Sequence, residues 1–374
     1  MKKLCLLLVI LLIIPLFNFN VSSVYEIDAK AYVLLVADTL EVYGGKNIHE
    51  RLPIASTTKI ATAITFLENF ENINKNIVVP KEASGIEGSS IYLYQGETIS
   101  VEALLYGLLL ESGNDAAVAL ALTCCESLDI FVDLMNQLVK KLGLKNTHFT
   151  NPHGLDDPNH YSSAYDLSLI MNYAMKNETF AKITATKNIS FKNEDDVTHF
   201  FTNHNRLIRM RDYIVGGKTG FTKISRRCLV SSAKLNGINL ICTTIDCSND
   251  FNEHISMYDN AFSAYQLYEI PINSEIKLDV VGSIIEKADL KYEEIEKIPL
   301  KSKFDLNSVS YKIITHKFIY APQKSGTNVG KIKIYYDNNL IKEKDLILKY
   351  DIKQIPSKNP FKKAIEYIRR ILKI

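Results

Sequence analysis

In "DYIVGGKTGFTKISRRCLVSSAKLNGINLICTTID", residues 212–246, the hydrophobic period of the chain changes from helical to strand-like. The stretch breaks into three short, β-branched runs, "DYIVGGKTGFT", "RCLVSSAKL" and "INLICTTID". Asn236-Gly237 joins the last two, and this dipeptide favours a two-residue hairpin because both positions accept positive φ. The pattern predicts an antiparallel meander. At the other end of the same region, "AKAYVLLVADTLEVYG" (29–44) reads as two strands about a turn near Asp38.

Between these strand-rich ends the apolar residues recur at helical spacing. A helix begins at Ser56, with Ile60, Ile64 and Leu67 on one side and Pro53 as a boundary marker. Others run from Ser100 to Glu111, Asn114 to Cys125, Asp129 to Leu142 with Gly143 as the stop, and Ser163 to Lys176, where Ser163 and Asp166 resemble a capping box. Strands first, helices in the middle and strands last imply an α+β fold: an antiparallel sheet whose first and last strands meet, flanked by the helices. Beyond residue 274 the helical signal stops, and segments such as "KIKIYYDNNLI" alternate polar and apolar residues, as a small all-β domain requires. The tail "NPFKKAIEYIRRILKI" changes again: Asn359 can cap, Pro360 suits a first helical position, and Phe361, Ala364, Ile365, Ile368, Ile371 and Leu372 fall opposite Lys362, Lys363, Arg369, Arg370 and Lys373. The expected divisions are an export signal over 1–23, a main domain over 24–270, a β-sandwich-like domain over 274–352 and a basic amphipathic helix over 353–374.

The charge balance narrows the partners. With 44 basic and 42 acidic residues the chain has no general polyanion-binding surface, so nucleic acid is not expected. The start "MKKLCLLLVILLIIPLFNFNVSS" has two lysines, an apolar run and small polar residues, the layout of a secretory signal. The tail helix is basic and too short to span a bilayer, which fits it to an anionic membrane surface. Cys5 lies in the signal; Cys124, Cys125, Cys228, Cys242 and Cys247 show no paired spacing and read as buried small hydrophobes. His153 and His160 flank the turn-rich "GLDDPN", but no further ligand cluster accompanies them, and no metal or cofactor is expected.

The chemistry is carried by "IASTTKIATAI", residues 54–64. On a helix Lys59 sits beside Ser56, and a neutral amine there could take the hydroxyl proton, making the serine a nucleophile. Neutrality requires the lysine pKa, ordinarily ~10.4, to fall through desolvation or a neighbouring cation. The spacing alone is weak, since Ser231 and Lys234 repeat it. On a strand, however, residues three apart point to opposite faces. Two further triplets follow in order, Ser112-Gly113-Asn114 where one helical pattern gives way to the next, and Lys218-Thr219-Gly220 on the first strand of the meander.

In these three elements the chain resembles the penicillin-recognising serine enzymes, with their SxxK, SxN and KTG signatures, and more narrowly the low-molecular-mass penicillin-binding proteins that act as serine-type D-alanyl-D-alanine carboxypeptidases. "GSSIYLYQGETISVEALLYGLLLESGNDAAVALA", "NPHGLDDPNHYSSAYDLSLI" and "TNHNRLI" extend the likeness. It implies a β-lactamase/transpeptidase-like fold in an exported protein on the outer face of the bacterial cytoplasmic membrane, a peptidoglycan stem peptide as substrate and β-lactams as inhibitors. It also implies Ser56 as nucleophile, Lys59 as general base and Ser112 as proton relay. Asn114, Lys218, Thr219 and Gly220 would bind substrate, and the backbone N–H groups of Ser56 and Phe221 would form the oxyanion hole. Where such enzymes usually carry Ala-Gly before the next strand, this chain has Ser225-Arg226. Two other readings share parts of the pattern: a β-lactamase, for which no ExxLN-like segment appears between Ser112 and Lys218, and a non-catalytic envelope protein that binds stem peptides.

Overall fold

Strands β1 (Ala29–Val36) and β2 (Glu41–Lys46) form the expected opening hairpin. The structure is a computed structural model and describes residues 27–194, 196–270, 272, 275–292, 297–302, 308–355 and 360–372; the export signal expected over 1–23 lies outside them. After β2 the chain enters α1 (Lys59–Asn69), the small hairpin of β3 (Asn76–Val78) and β4 (Thr98–Ser100), and then α2 (Val101–Tyr106) and α3 (Asn114–Cys124). It continues through α4 (Leu128–Lys141), α5 (Ala164–Ala174), α6 (Glu178–Ala185), the hairpin of β5 (Asn188–Lys192) with β6 (Thr198–Thr202), and a short α7 (Leu207–Met210). The meander follows as β7 (Ile214–Thr222), β8 (Arg226–Leu235) and β9 (Ile238–Cys247), closed by α8 (Asp250–Ala264).

The main sheet has the order β2-β1-β9-β8-β7, so the first strand meets the last, with Leu34 opposite Cys242. Strand periodicity decides what each face covers. Ala31, Val33 and Leu35 of β1 join Val230, Ile241 and Ile245 in a core shared with α1 to α6, whereas Leu34, Val36, Leu229, Leu240 and Cys242 pack against Ile255, Met257, Tyr258 and Ala261 of α8. Asn236 and Gly237 have φ of 49° and 82°, as the hairpin dipeptide predicts. The order also leaves β7 at an edge of the sheet.

Two sequence expectations are refined. Ser163 caps α5 by accepting from the Asp166 N–H at 3.1 Å, but the Asp166 carboxylate does not reach back; it accepts from the Asn146 N–H at 2.8 Å and the Thr147 hydroxyl at 2.9 Å, tying a preceding loop to the helix. The pattern over 100–111 is one α-turn pair followed by a wider π turn over Gly107–Glu111, which ends at Ser112.

The second unit starts as β10 (Tyr265–Tyr268), which leaves α8 and later pairs with β13 (Ile298–Lys301). With β11 (Lys277–Val281), β12 (Lys287–Tyr292), β14 (Val309–Thr315), β15 (Phe318–Tyr320), β16 (Asn328–Tyr336) and β17 (Asn339–Leu348) it contains a six-stranded sheet of order β14-β16-β17-β12-β11-β15. Ile332 and Ile334 are fully buried and Lys331 projects outward, as alternation demands. Helix α9 (Pro360–Leu372) follows; the cap expected at Asn359 falls outside the described residues. Among the described residues no helix is long and apolar enough to cross a membrane.

Candidate active site

Ser56 lies on a single 3₁₀ turn, Ala55–Thr58, and Lys59 is the first residue of α1. The turn is tight: Ala55 has φ of 46°, a left-handed conformation that a residue with a Cβ rarely adopts. Lys59 is fully buried, which rules out the solvated helix lysine. Its Nζ stands 2.9 Å from Ser56 Oγ, 2.6 Å from Asn114 Oδ1 and 2.7 Å from the His153 carbonyl oxygen. A neutral amine has two hydrogens and one lone pair. Asn114 and His153 are pure acceptors toward it and take the two hydrogens, so the lone pair is left facing the Ser56 hydroxyl. Burial first, and then the charge of Lys218, hold Lys59 well below the usual lysine range, with Asp115 opposing.

The second triplet is placed by the π turn. Ser112 closes it with φ of 67° and faces the cleft, and α3 starts two residues later. Asn114 is held on three sides: Oδ1 by Lys59, Nδ2 by donation to the Glu87 carbonyl at 2.5 Å, and its backbone N–H by donation to the Ser89 carbonyl at 2.7 Å. Neighbouring Asp115 is buried and accepts from the N–H groups of Ile91 and Leu93, each at 3.0 Å, and from the Ser90 hydroxyl at 2.6 Å. One carboxylate thus shapes the loop that carries Ser89 to the cleft.

The third triplet lies on the edge strand β7. Lys218 points to the helical side, is buried, and donates to the Thr219 carbonyl at 2.9 Å; burial lowers its pKa to about 7, with Glu111 opposing. A Cβ on Gly220 would stand 3.0 Å from the backbone nitrogens of Ser56 and Thr57, so only glycine lets β7 lie this close to the serine turn. The two backbone segments that hold the Ser56 and Phe221 N–H groups are brought together there. Ser56, Ser112, Thr219, Gly220 and Phe221 line one cavity of about 640 Å³, whose farther wall includes His204, Arg206 and Arg227.

The other sequence candidates are structural. His160 Nε2 is 2.8 Å from the Thr58 hydroxyl and its Nδ1 accepts from the Thr150 N–H at 3.1 Å, while His153 contributes its carbonyl to Lys59. No group of residues able to hold a metal occurs among the described residues. Ser231 points into the α8 side of the sheet and Lys234 is exposed, as strand geometry requires. The five cysteines of the described chain are unpaired. Arg226 has φ of 58°, which supplies a physical reason for glycine at the second position of the usual Ala-Gly pair; here Ser225 braces the turn by reciprocal bonds with Thr222, its Oγ accepting at 3.1 Å and its N–H donating at 2.9 Å. Sequence reasoning did not single out Asp115, Ser89 or the His153 carbonyl. A carboxylate directly after Asn114 in an apolar helix was the available signal for Asp115.

Comparison with known proteins points to one family. The sequence model of the family described as D-alanyl-D-alanine carboxypeptidase matches residues 18–249, and that of the penicillin-binding protein 5 C-terminal domain matches residues 275–354. The chain is 33% identical over 336 residues to D-alanyl-D-alanine carboxypeptidase DacF of Bacillus subtilis, covering 87% of this chain and 86% of that one. It is 29% identical over 368 residues to DacA of Escherichia coli, with 93% and 89% covered. Among solved structures, penicillin-binding protein 5 from Haemophilus influenzae superposes with a TM-score of 0.68 at 26% identity, covering 88% of this chain and 98% of its own. By sequence and by fold, this chain belongs to the D-alanyl-D-alanine carboxypeptidase family.

Proposed function

We propose that the cleft removes the terminal D-alanine from peptidoglycan stem peptides through an acyl-enzyme on Ser56. The observation that carries this reading is the environment of Lys59 Nζ, buried, near a second lysine and 2.9 Å from the serine oxygen. Lys59 takes the Ser56 proton as Oγ attacks the carbonyl between the last two residues. The N–H groups of Ser56 and Phe221 receive the oxyanion, an arrangement whose loss typically costs about 10² to 10³ in rate. Ser112 passes the proton to the departing amine, and free D-alanine leaves. Water then attacks the ester with Lys59 again as base, and Ser56 recovers its proton. Asn114 orients Lys59 and binds the substrate amide, while Lys218 and Thr219 attract the terminal carboxylate. A β-lactam enters by the same route and stays on Ser56 because its leaving group remains tethered.

The exported, cell-wall location follows the family, and the basic tail seats the protein on the anionic face of the membrane. A chain ending at Ser357 should lose binding to anionic vesicles. The catalytic assignment is tested with diacetyl-Lys-D-Ala-D-Ala: wild type should release free D-alanine, Ser56→Ala should not, and a fluorescent penicillin should map to the peptide holding Ser56. Release of D-alanine by Ser56→Ala at the wild-type rate would overturn it.

A further inference from the structure

The β domain presents a second apolar surface beside α9. The turn from β11 to β12 reads Gly282-Ser283-Ile284-Ile285-Glu286, and it places Ile284 at 80% and Ile285 at 45% exposure. The turn is an ordered one: the Val280 N–H donates to the Glu286 carbonyl at 2.8 Å and the Ile285 N–H to the Ser283 hydroxyl at 3.3 Å. Two adjacent isoleucines displayed on a fixed turn gain nothing from water.

Helix α9 lies directly alongside. Arg370 Nη1 donates to the Val280 carbonyl at 2.6 Å and Nη2 to the Ser283 carbonyl at 3.4 Å, and Tyr367 stacks on Tyr320 with ring centroids 5.4 Å apart. These contacts commit the Tyr367 and Arg370 side of the helix to the β domain. Ile365, Ile368 and Ile371 stay about half exposed, and Ile371 follows the arginine that holds the residue before Ile284. The two apolar surfaces are therefore neighbours. The charge around them chooses the occupant. Over its length α9 has four basic residues, Lys362, Lys363, Arg369 and Arg370, against Glu366, and the turn adds only the balanced pair Glu286 and Lys287. Exposed isoleucines on a helix of net positive charge match an anionic lipid surface.

We infer that the Ile284-Ile285 turn enters the anionic lipid surface together with the apolar side of α9, so that the β domain meets the membrane at two points and is held in one orientation. The inference rests on the membrane-surface reading of the tail and adds the turn to it.

The chain contains no tryptophan, so Ile284→Trp creates a single reporter. On vesicles of phosphatidylglycerol and phosphatidylcholine its emission should shift to the blue and be quenched by lipids brominated on the acyl chain. Phe200→Trp, at a residue 77% exposed in the catalytic unit, should do neither. The double variant Ile284→Glu/Ile285→Glu should bind these vesicles roughly tenfold more weakly, from the loss of two partly buried side chains, with melting temperature and peptide hydrolysis unchanged. If the Ile284→Trp variant binds vesicles while its emission stays that of an indole in water, the turn inference is overturned and the tail reading stands. If the chain ending at Ser357 binds as well as the full chain, the tail reading fails and the inference fails with it. Protection of the turn by lipid-independent dimerisation would also overturn it.

Discussion

Replacing Lys218 with Met should make the protein more stable and nearly inactive, and the pH dependence of the gain identifies its cause. The ammonium of Lys218 is fully buried and its pKa falls from 10.5 to about 7 chiefly through desolvation. Between these values the unfolded chain holds a proton that the folded chain has released, so unfolding takes up a proton and wild-type stability rises with pH through this window. At 1.36 kcal/mol for each pH unit, the desolvation seen at pH 7 amounts to about 4 kcal/mol. Allowing half of that for water retained around Nζ leaves about 2 kcal/mol, a melting temperature higher by roughly 4–8 °C in a unit of this size. Methionine fills similar volume without a charge, and it removes the cation that helps keep Lys59 neutral. Thermal unfolding followed by circular dichroism at pH 7 and pH 10, beside acylation by a fluorescent penicillin, tests both halves. The expected result is a gain at pH 7 that shrinks markedly by pH 10, with acylation slowed by about 10² or more. A variant less stable than wild type at pH 7, or a gain equal at both pH values, would exclude desolvation of the Lys218 ammonium as the cause.

Lys59→Arg retains charge and length but cannot be deprotonated, so acylation should fall by about 10² to 10⁴ and should not recover at alkaline pH, whereas wild-type kcat/KM falls on acidification as Lys59 gains its proton. Asp115→Asn keeps the shape of a buried carboxylate that accepts from Ile91, Leu93 and Ser90 but leaves it able to accept at one oxygen only; it should cost about 2–3 kcal/mol by denaturant titration. Because the Asp115 charge favours protonated Lys59, its removal should also move the acid limb of kcat/KM to lower pH in whatever folded fraction remains.

The elements that sequence reading recovers are those whose signal is local. Asn236-Gly237 determines a hairpin by itself, the alternation at Lys331 to Ile334 determines a face, and Ser56 and Lys59 lie within one turn. Order in the chain was enough to associate Asn114 and Lys218 with them, but their distances depend on how α3 and β7 pack. Helix α8 escaped because its hydrophobic side, Ile255, Met257, Tyr258 and Ala261, is interrupted by polar residues that are themselves buried: Asp250 pairs with Arg227 at 2.6 Å, and His254 bonds Ser231 and Thr244. A buried polar group looks like a solvated one until its partner, here some 10 to 23 residues away in the chain, is in view. The left-handed Ser112 and Arg226 were hidden for a related reason: serine and arginine do not announce positive φ, and packing imposes it.

The unused Ser231 shows what separates a nucleophile from a well-bonded hydroxyl. Its oxygen lies 2.7 Å from His254 Nδ1, and burial lowers that imidazole to about 3, so a neutral imidazole is already beside it. By pairing alone it looks better prepared than Ser56. Yet Ser231 of β8 and His254 of α8 are fully buried between the strand and the helix, Tyr258 and Thr244 occupy the remaining positions around them, and no carbonyl can approach. Ser56 differs in that the lysine proposed as its base lies next to open space: Lys59 is enclosed while the serine turn, strained at Ala55, projects into the cleft beneath an edge strand that lacks a side chain at Gly220. Desolvating the base and exposing the nucleophile are opposing demands. A helix start meets both, because residues one turn apart can have one member in the core and the other at the surface, whereas Leu229, Ser231 and Ala233 alternate along one face of β8 and are all enclosed against α8.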